Sequence, residues 1–222
     1  MKTSKSRPAE NQSDTALADP ILLDSQQQPA WHVVVLSFFT LGAYNMYWLY
    51  RNLNSLCQGS NQLQQGIDGK DPELEDAHIK LGRDGTLETY LKFGQARPIF
   101  TTALFAIPVV NLLVLLGFAH MSAQLIPDRN SFMRKNSQFT GFVIALLFGA
   151  LTLLIRLPEP FELLYLTSAL PLAIVQIWLN RHWKVVEDNK RIARQAFSPL
   201  ELVAIITGAS IIGLIAIHPD IK

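Results

Sequence analysis

The segment WHVVVLSFFTLGAYNMYWLYRNLN, residues 31–54, decides how the rest of the chain is interpreted. It begins as an apolar run, passes Gly42, and ends in closely spaced aromatic residues. Aliphatic side chains suit the acyl region of a bilayer, aromatic side chains collect at its interface, and cations follow in water. The sequence therefore predicts a membrane helix over 31–52. Its interface anchors are Tyr47, Trp48, Tyr50 and Arg51.

The distribution of charge extends this prediction to the whole chain. Of the 222 residues, 49% are hydrophobic and only 17% are charged, against about 25% charged in ordinary globular domains. The charges lie in blocks between long uncharged runs, and a helix needs roughly 20 mostly apolar residues to cross a bilayer. We therefore predict an all-α, polytopic transmembrane helix bundle with about five membrane helices. The predicted spans are 31–52, 98–121, 139–156, 161–180 and 199–217.

Two polar regions complete the predicted domain organisation. Residues 1–30 are rich in Ser, Gln, Asp and Lys and bury too little apolar surface to order, which predicts a disordered tail. Residues 31–222 form the predicted helical membrane domain. Within it, residues 53–96 form a long polar loop, in which TLETYLKF (86–93) has the spacing of a short amphipathic helix at the interface.

The stretch TLGAYNMYWLYRN, residues 40–52, resembles the signature T-x-G-x-Y-x-x-Y-W-x-Y-[RK] of a family of bacterial multi-pass membrane proteins of unknown function. In that family the signature lies at the end of the first transmembrane helix. Weaker similarities follow at Arg97, at Asn180 with Trp183, and at Phe197-Ser198 with Glu201. The resemblance implies a multi-pass architecture and implies no activity.

Two predicted spans combine a helix-breaking proline with an amide. The second has Pro108 and Asn111, and the fourth has Pro171 and Gln176. We expect Pro108 to kink its helix, because membrane helices tolerate a break that neighbours can satisfy. Broken helices with polar groups build midplane sites in transporters, whereas a lone amide more often forms an interhelical hydrogen bond. Asn111 and Gln176 are therefore the candidate polar intramembrane site. Further interface anchors are Arg97 and Trp183.

Small residues predict where helices pack closely. Gly141, Ala145 and Gly149 recur every four residues in the third span, and the fifth span has the pairs Ala204/Gly208 and Ala209/Gly213. Such spacing lets another backbone approach. At the start of the fifth span, the order Ser-Pro-Leu-Glu predicts a capping box. Its cap residues are Ser198 and Glu201.

No motif carries chemistry. The single cysteine, Cys57, cannot form an internal disulfide, and no His pair has helical metal spacing. We therefore predict no catalytic residue, no metal and no cofactor. The net charge of +1 gives no indication of nucleic-acid binding.

The predicted function is a non-enzymatic membrane component that binds a partner or a lipid. The alternative is a small transporter or channel with a polar site near Asn111 and Gln176. The predicted partners are the lipid bilayer and, through the small-residue faces, other membrane proteins or a second copy. Five crossings place the tail and residues 124–137 and 180–197 on one side, opposite 53–96. A slight excess of cations there favours a cytoplasmic N-terminus in the cell membrane. If the first segment bends back at Gly42 instead, this count fails.

Overall fold

The computed structural model describes residues 27–69, 72–158, 161–187 and 197–217. Within these ranges the chain is all-α, with no strand. The ten α-helices, in chain order, are α1 Ala30–Phe39, α2 Tyr44–Gly69, α3 Pro72–Asp84, α4 Leu87–Phe93, α5 Pro98–Phe105, α6 Val110–Gln124, α7 Phe132–Lys135, α8 Ser137–Thr152, α9 Ala169–Val186 and α10 Pro199–Ile217. Two 3₁₀ segments, Leu153–Arg156 and Phe161–Ser168, continue α8 and precede α9. Most of the predicted tail, residues 1–26, lies outside the described residues.

The core lies among α2, α6 and α9. Trp48 of α2, Phe118 of α6 and Leu179 of α9 are buried there. The rings of Trp48 and Phe118 meet edge to face, 5.7 Å apart. The apolar faces of the amphipathic helices α2 and α9 thus pack around the apolar helix α6.

The predicted first span is two helices. α1 ends at Phe39, and the chain turns through 40–43, where Leu41 and Gly42 have φ values of 50° and 85°. Gln28, just before α1, contacts both Tyr44 and Arg51 of α2, so the two helices run back along each other. The prediction of one crossing helix over 31–52 is therefore wrong, because Gly42 permits a backbone conformation that a helix cannot continue.

The predicted second span is also interrupted. α5 ends at Phe105 and α6 begins at Val110, with Val109 at a φ of 71°. The expected effect of Pro108 is confirmed and is larger than a kink, since the helix stops for four residues. Pro171 instead lies in the first turn of α9, where its missing N–H costs little.

Residues 53–96 are largely helical, unlike the predicted polar loop. α2 continues to Gly69 through Leu53, Leu56 and Leu63, which are buried at helical spacing. α4 is the expected short helix, but Tyr90 and Phe93 pack into the protein core instead of lying free at an interface. The apolar stripe on α2 is obscured in the sequence by the many Gln, Asn and Ser residues between its leucines.

Contacts gather three connecting regions and the start of α1 at one end of the molecule. We call this the basic end: residues 27–28, 80–97, 124–137 and 180–187. Thr89 Oγ1 donates to Gln124 Oε1 at 3.0 Å, Arg134 donates to the carbonyl of Gly85 at 2.8 Å, and Gln27 donates to Glu187 at 2.8 Å. These contacts do not fit the five-crossing prediction, which placed 53–96 across a bilayer from 124–137.

The positively charged side chains also gather at the basic end. Every Lys and Arg that the structure describes lies at the basic end or contacts it, except Arg156 at the far end of α8. α1–α2 and α5–α6 are thus two helical hairpins that leave the basic end and return to it. Their tips lie at 40–43 and 106–109.

One helix in the described ranges, Ser137–Arg156, is long and apolar enough to cross a membrane, with a mean hydropathy of 2.1. It corresponds to the predicted third span. Three shorter apolar helices lie at Ala30–Phe39, Val110–Gln124 and Pro199–Leu214. At 1.5 Å per residue, α1 and α5 extend only about 15 Å and 12 Å, roughly half of a hydrocarbon core.

Candidate functional site

The turn between α1 and α2 is held by side chains of the signature-like stretch. The hydroxyl of Thr40 donates to the Leu36 carbonyl at 2.7 Å and accepts from the Tyr44 N–H at 2.9 Å, so it closes α1 and opens α2. Tyr165 donates its hydroxyl hydrogen to the carbonyl of Leu41 at 3.2 Å. Thr40 and Gly42 therefore specify the turn itself, one by capping and one by its backbone freedom.

A buried polar network begins one turn further along α2. The indole N–H of Trp48 donates to Gln176 Oε1 at 2.7 Å, and Asn52 Nδ2 donates to the Trp48 carbonyl at 2.8 Å. Gln176 Nε2 donates to Asn180 Oδ1 at 2.8 Å. Both ends of the Gln176 amide are thus engaged, in a side chain that is 1% exposed. This network joins α2 to α9 through groups spaced i, i+4 on each helix.

The network continues to the segment before α1. Asn180 Nδ2 donates to the backbone carbonyl of Gln28 at 2.7 Å. The Gln28 side chain donates to the hydroxyl of Tyr44 at 2.8 Å and accepts from Arg51 at 3.3 Å. A continuous chain of hydrogen bonds therefore ties α2 and α9 to the entry of α1. We call it the polar network: Gln28, Tyr44, Trp48, Arg51, Asn52, Gln176 and Asn180.

Gln176 is the one member of the predicted intramembrane pair that enters this network. Asn111 lies half-buried in the first turn of α6, just after the hairpin tip, and is not among the hydrogen-bond partners of Gln176. The α6 residue that meets Trp48 is Phe118, two turns further on. The structure thus does not bring Asn111 and Gln176 together.

The predicted interface anchors divide into two groups. Tyr47 is 54% exposed and Arg97 is exposed before α5, whereas Tyr50 and Arg51 are half-buried. Trp48 and Trp183 are buried in the core, so their role as anchors is wrong. They point inward because α2 and α9 pack along the faces that carry them.

A second buried cluster, at the basic end, contains Tyr90, His182 and Trp183. The ring of His182 lies 5.0 Å from that of Tyr90 and 5.3 Å from that of Trp183. Burial lowers the pKa of His182 to about 3 and raises that of Tyr90. Both groups are therefore neutral near pH 7, and His182 Nε2 has no hydrogen-bond partner in the described part of the chain.

The predicted capping box is confirmed. The Ser198 N–H donates to Glu201 Oε2 at 2.7 Å, and the Glu201 N–H donates to Ser198 Oγ at 3.3 Å. The preceding Phe197 stacks on His32 with ring centroids 4.1 Å apart. The cap thus fixes the start of α10 against α1.

Close backbone packing is present at two of the small residues that predicted it, Gly141 and Gly208. A Cβ added to Gly141 of α8 would lie 2.9 Å from both His120 N and Leu116 O of α6, and one added to Gly208 of α10 would overlap the Phe39 carbonyl. Gly213, in contrast, has no atom of the described residues within 4 Å of such a Cβ. Within the described ranges, therefore, the pair Ala204/Gly208 packs against another helix and the pair Ala209/Gly213 does not.

The chemistry available in the polar network is that of amides, an indole, a phenol and a guanidinium bonded mainly to one another. Among the described residues, no group of three or more His, Cys, Asp or Glu side chains could hold a metal ion. Comparison of the chain with protein-family models, with curated proteins and with solved structures finds no match.

Proposed function

We propose that this chain is a multi-pass membrane protein that acts, without catalysing a reaction, by binding a partner or a lipid. The observation that carries the proposal is the exposed surface of the helix Ser137–Arg156. Only 22% of its most apolar stretch is buried. Phe139, Phe142 and Leu146 are each more than half exposed there. Apolar surface on this scale is unfavourable in water and suits acyl chains.

The proposed topology has three crossings and two re-entrant hairpins. α8, α9 with its preceding 3₁₀ segment, and α10 cross, whereas the α1–α2 and α5–α6 hairpins enter from the basic end and return to it. This arrangement is supported by the short α1 and α5 and by the contacts that gather the connections at one end. Because cations concentrate on the cytoplasmic side of membrane proteins, the basic end and the N-terminus are cytoplasmic in this proposal.

The partner-binding face of the proposal lies on α10. Leu202, Ile206, Ala209 and Gly213 follow one another at helical spacing and face away from α1. Leu202 and Ile206 are 47% and 64% exposed. Small residues beside exposed aliphatic ones let a second membrane helix approach closely. The partner is another membrane protein or a second copy of this chain.

We also propose membership in the family whose signature residues 40–52 resemble. Support comes from the structural roles of the residues in that stretch. Thr40 and Gly42 build the turn, and Tyr44, Trp48 and Arg51 enter the polar network. The signature positions thus correspond to a hairpin and its attachment to α9.

Membrane integration and topology are tested together by labelling single cysteines. In a Cys57→Ser background, Glu88→Cys and Ser131→Cys place a thiol at the basic end, and Leu157→Cys places one at the opposite end. A membrane-impermeant maleimide should label only Leu157→Cys in intact cells and all three after lysis. Labelling of Glu88→Cys in intact cells would instead support five crossings. Extraction of the unmodified chain by alkaline carbonate would overturn the membrane proposal.

Partner binding is tested by photocrosslinking from α10. A photoreactive residue at Ala209 faces away from the chain, whereas one at Ile205 packs against the core and serves as the matched control. We expect a discrete crosslinked product in native membranes from position 209 and none from 205. Equal yields from the two positions would contradict a docking face on α10.

A small transporter or channel is the second candidate, favoured by the interrupted α5–α6 hairpin with Asn111 beside its tip. The engagement of both ends of the Gln176 amide weighs against a ligand at that residue. Transport would be supported if Asn111→Leu abolished uptake of a solute while protein levels stayed normal. Asn130→Leu, at an exposed loop position, is the control.

A further inference from the structure

A cleft opens at the basic end between α3, the loop that follows α6, and the last turns of α9. Its volume is about 440 Å³. Ile126 and Pro127 supply apolar lining, and the charged groups are Lys80, Asp128, Arg181 and Lys184. From α9 the cleft therefore receives two cations, Arg181 and Lys184, beside one carboxylate and a partly apolar floor.

Arg181 and Lys184 are placed by the packing of α9. They are exposed, while the intervening His182 and Trp183 are buried. The spacing i, i+3 puts both cations on one face of the helix. Burial of the two aromatic rings thus fixes the rotation of α9 that aims the cations at the cleft.

The opposite wall is held by two arginines that close the C-terminal end of α3. Arg129 donates to the carbonyls of Arg83 and Asp84, and Arg134 donates to those of Gly85 and Ile126. Guanidinium groups at a helix C-terminus satisfy its last carbonyls and its dipole. These bonds attach the loop after α6 to the end of α3, which forms the other side of the cleft.

The charge balance of the cleft is positive. Asp128 Oδ1 accepts from the Asn130 N–H at 2.9 Å, which orients its carboxylate within its own turn. Glu187, one turn after Lys184, bonds to Gln27. The two cations of α9 against the one carboxylate of Asp128 leave a net positive charge of about one for an anion.

The location of the cleft identifies the class of anion. Arg181 is the first residue after Asn180, which bonds to the segment entering α1, and it follows the apolar part of α9. In the proposed topology, cations at this end of α9 lie at the level of phospholipid headgroups. We propose that the cleft binds a phosphate group presented by an anionic phospholipid, with the apolar floor against its glycerol. This inference rests on the proposed membrane location.

The test uses detergent-purified full-length protein and measures phosphatidylglycerol retained from mixed phosphatidylcholine–phosphatidylglycerol micelles by native mass spectrometry. Near a membrane surface each cation contributes about 1 kcal/mol, so Arg181→Gln or Lys184→Gln should weaken phosphatidylglycerol binding by roughly fivefold. Asp128→Asn, which preserves the acceptor for Asn130, should strengthen it. Arg156→Gln, at the opposite end, removes the same charge and should leave it unchanged.

Equal retention by the Arg181→Gln/Lys184→Gln double variant and the original chain would overturn the proposal, as would equal losses in Arg156→Gln. Inorganic phosphate serves as the second probe. If it binds with the same dependence on Arg181 and Lys184 while phosphatidylglycerol does not, the source is a soluble phosphate and the lipid assignment is overturned. Carbonate extraction of the same variants reports on membrane integration separately, so the two failures are distinguishable.

Discussion

The two helical hairpins have the same outline and are attached to the rest of the chain by different forces. The α1–α2 hairpin is joined to α9 by the polar network. The α5–α6 hairpin is joined to α8 by close backbone packing at Gly141. The first attachment needs particular side chains at particular positions, whereas the second needs mainly the absence of a side chain. Substitutions should therefore disturb the two attachments in different ways, by loss of a polar group at the first and by gain of a methyl group at the second.

The largest expected loss of stability comes from a substitution in α8, at the glycine that attaches the α5–α6 hairpin. Gly141→Ala adds a Cβ against two backbone atoms of α6 that cannot rotate away. We expect a loss of about 2–3 kcal/mol in the free energy of unfolding, as for overpacking in a core. Denaturant titration in detergent measures it. Gly117→Ala, on α6 with nothing within 4 Å of the new Cβ, is the control and should be neutral or stabilising. Similar losses in both variants would contradict the close approach.

The second prediction concerns the pH dependence of stability, which should report the burial of His182 in α9. His182 is buried with its pKa lowered to about 3, while the unfolded chain has an ordinary value near 6.5. Below about pH 6.5 the unfolded state binds a proton that the folded state does not, so stability falls as the pH drops towards 3. Between pH 7.5 and pH 5 this amounts to about 2 kcal/mol.

The check on that pH dependence is thermal or denaturant unfolding of the unmodified chain and of His182→Phe at both pH values. The variant should lose most of this difference, because it has no group to protonate at that site. Equal pH dependence in both proteins would show that His182 is not buried as described.

The polar network itself is broken by Gln176→Leu. The change removes the acceptor of the Trp48 indole and the donor to Asn180, and leaves both partners buried. We expect a loss of about 1–2 kcal/mol, at the upper end of what interhelical hydrogen bonds contribute in membranes. Denaturant titration measures the loss.

Asn111→Leu removes an amide in the other hairpin and is the matched control for Gln176→Leu. Its effect on stability should be smaller, since the polar network does not include Asn111. An equal effect would show that the two hairpins are attached in the same way.

The smallest expected effect is at the start of α10, which covers α1. Ser198→Ala removes the acceptor for the Glu201 N–H and should cost about 1 kcal/mol. Ser210→Ala, whose hydroxyl donates to the Ile206 carbonyl one turn back, should cost less. The difference in unfolding midpoint between the two variants reports the cap alone.

Local features were predictable from the sequence. The capping box at Ser198 and Glu201 and the interruption at Pro108 follow from short-range chemistry. These features depend on a few neighbouring residues, and no distant contact overrides them. The helix over 137–156 was predictable for the same reason, since its length and apolarity are properties of one segment.

Burial of particular side chains was not predictable. Tryptophan is typical of interface anchors, yet Trp48 and Trp183 are buried in the core, because α9 lies against α2 and α4. The leucine stripe of α2 beyond Leu53 was hidden by the polar residues between its members. Gln28 lies in a stretch that sequence alone assigned to a disordered tail, and its partner Asn180 is 152 residues away.

The sequence by itself determined that the chain is helical, that one predicted span is interrupted near Pro108, and how α10 begins. Each of these is set by the conformational limits of residues within one or two turns. Only the tertiary structure decided which ends of the helices meet, and hence that the hairpins return to the basic end. That choice depends on hydrogen bonds and packing between residues far apart in the chain, whose partners no local pattern specifies.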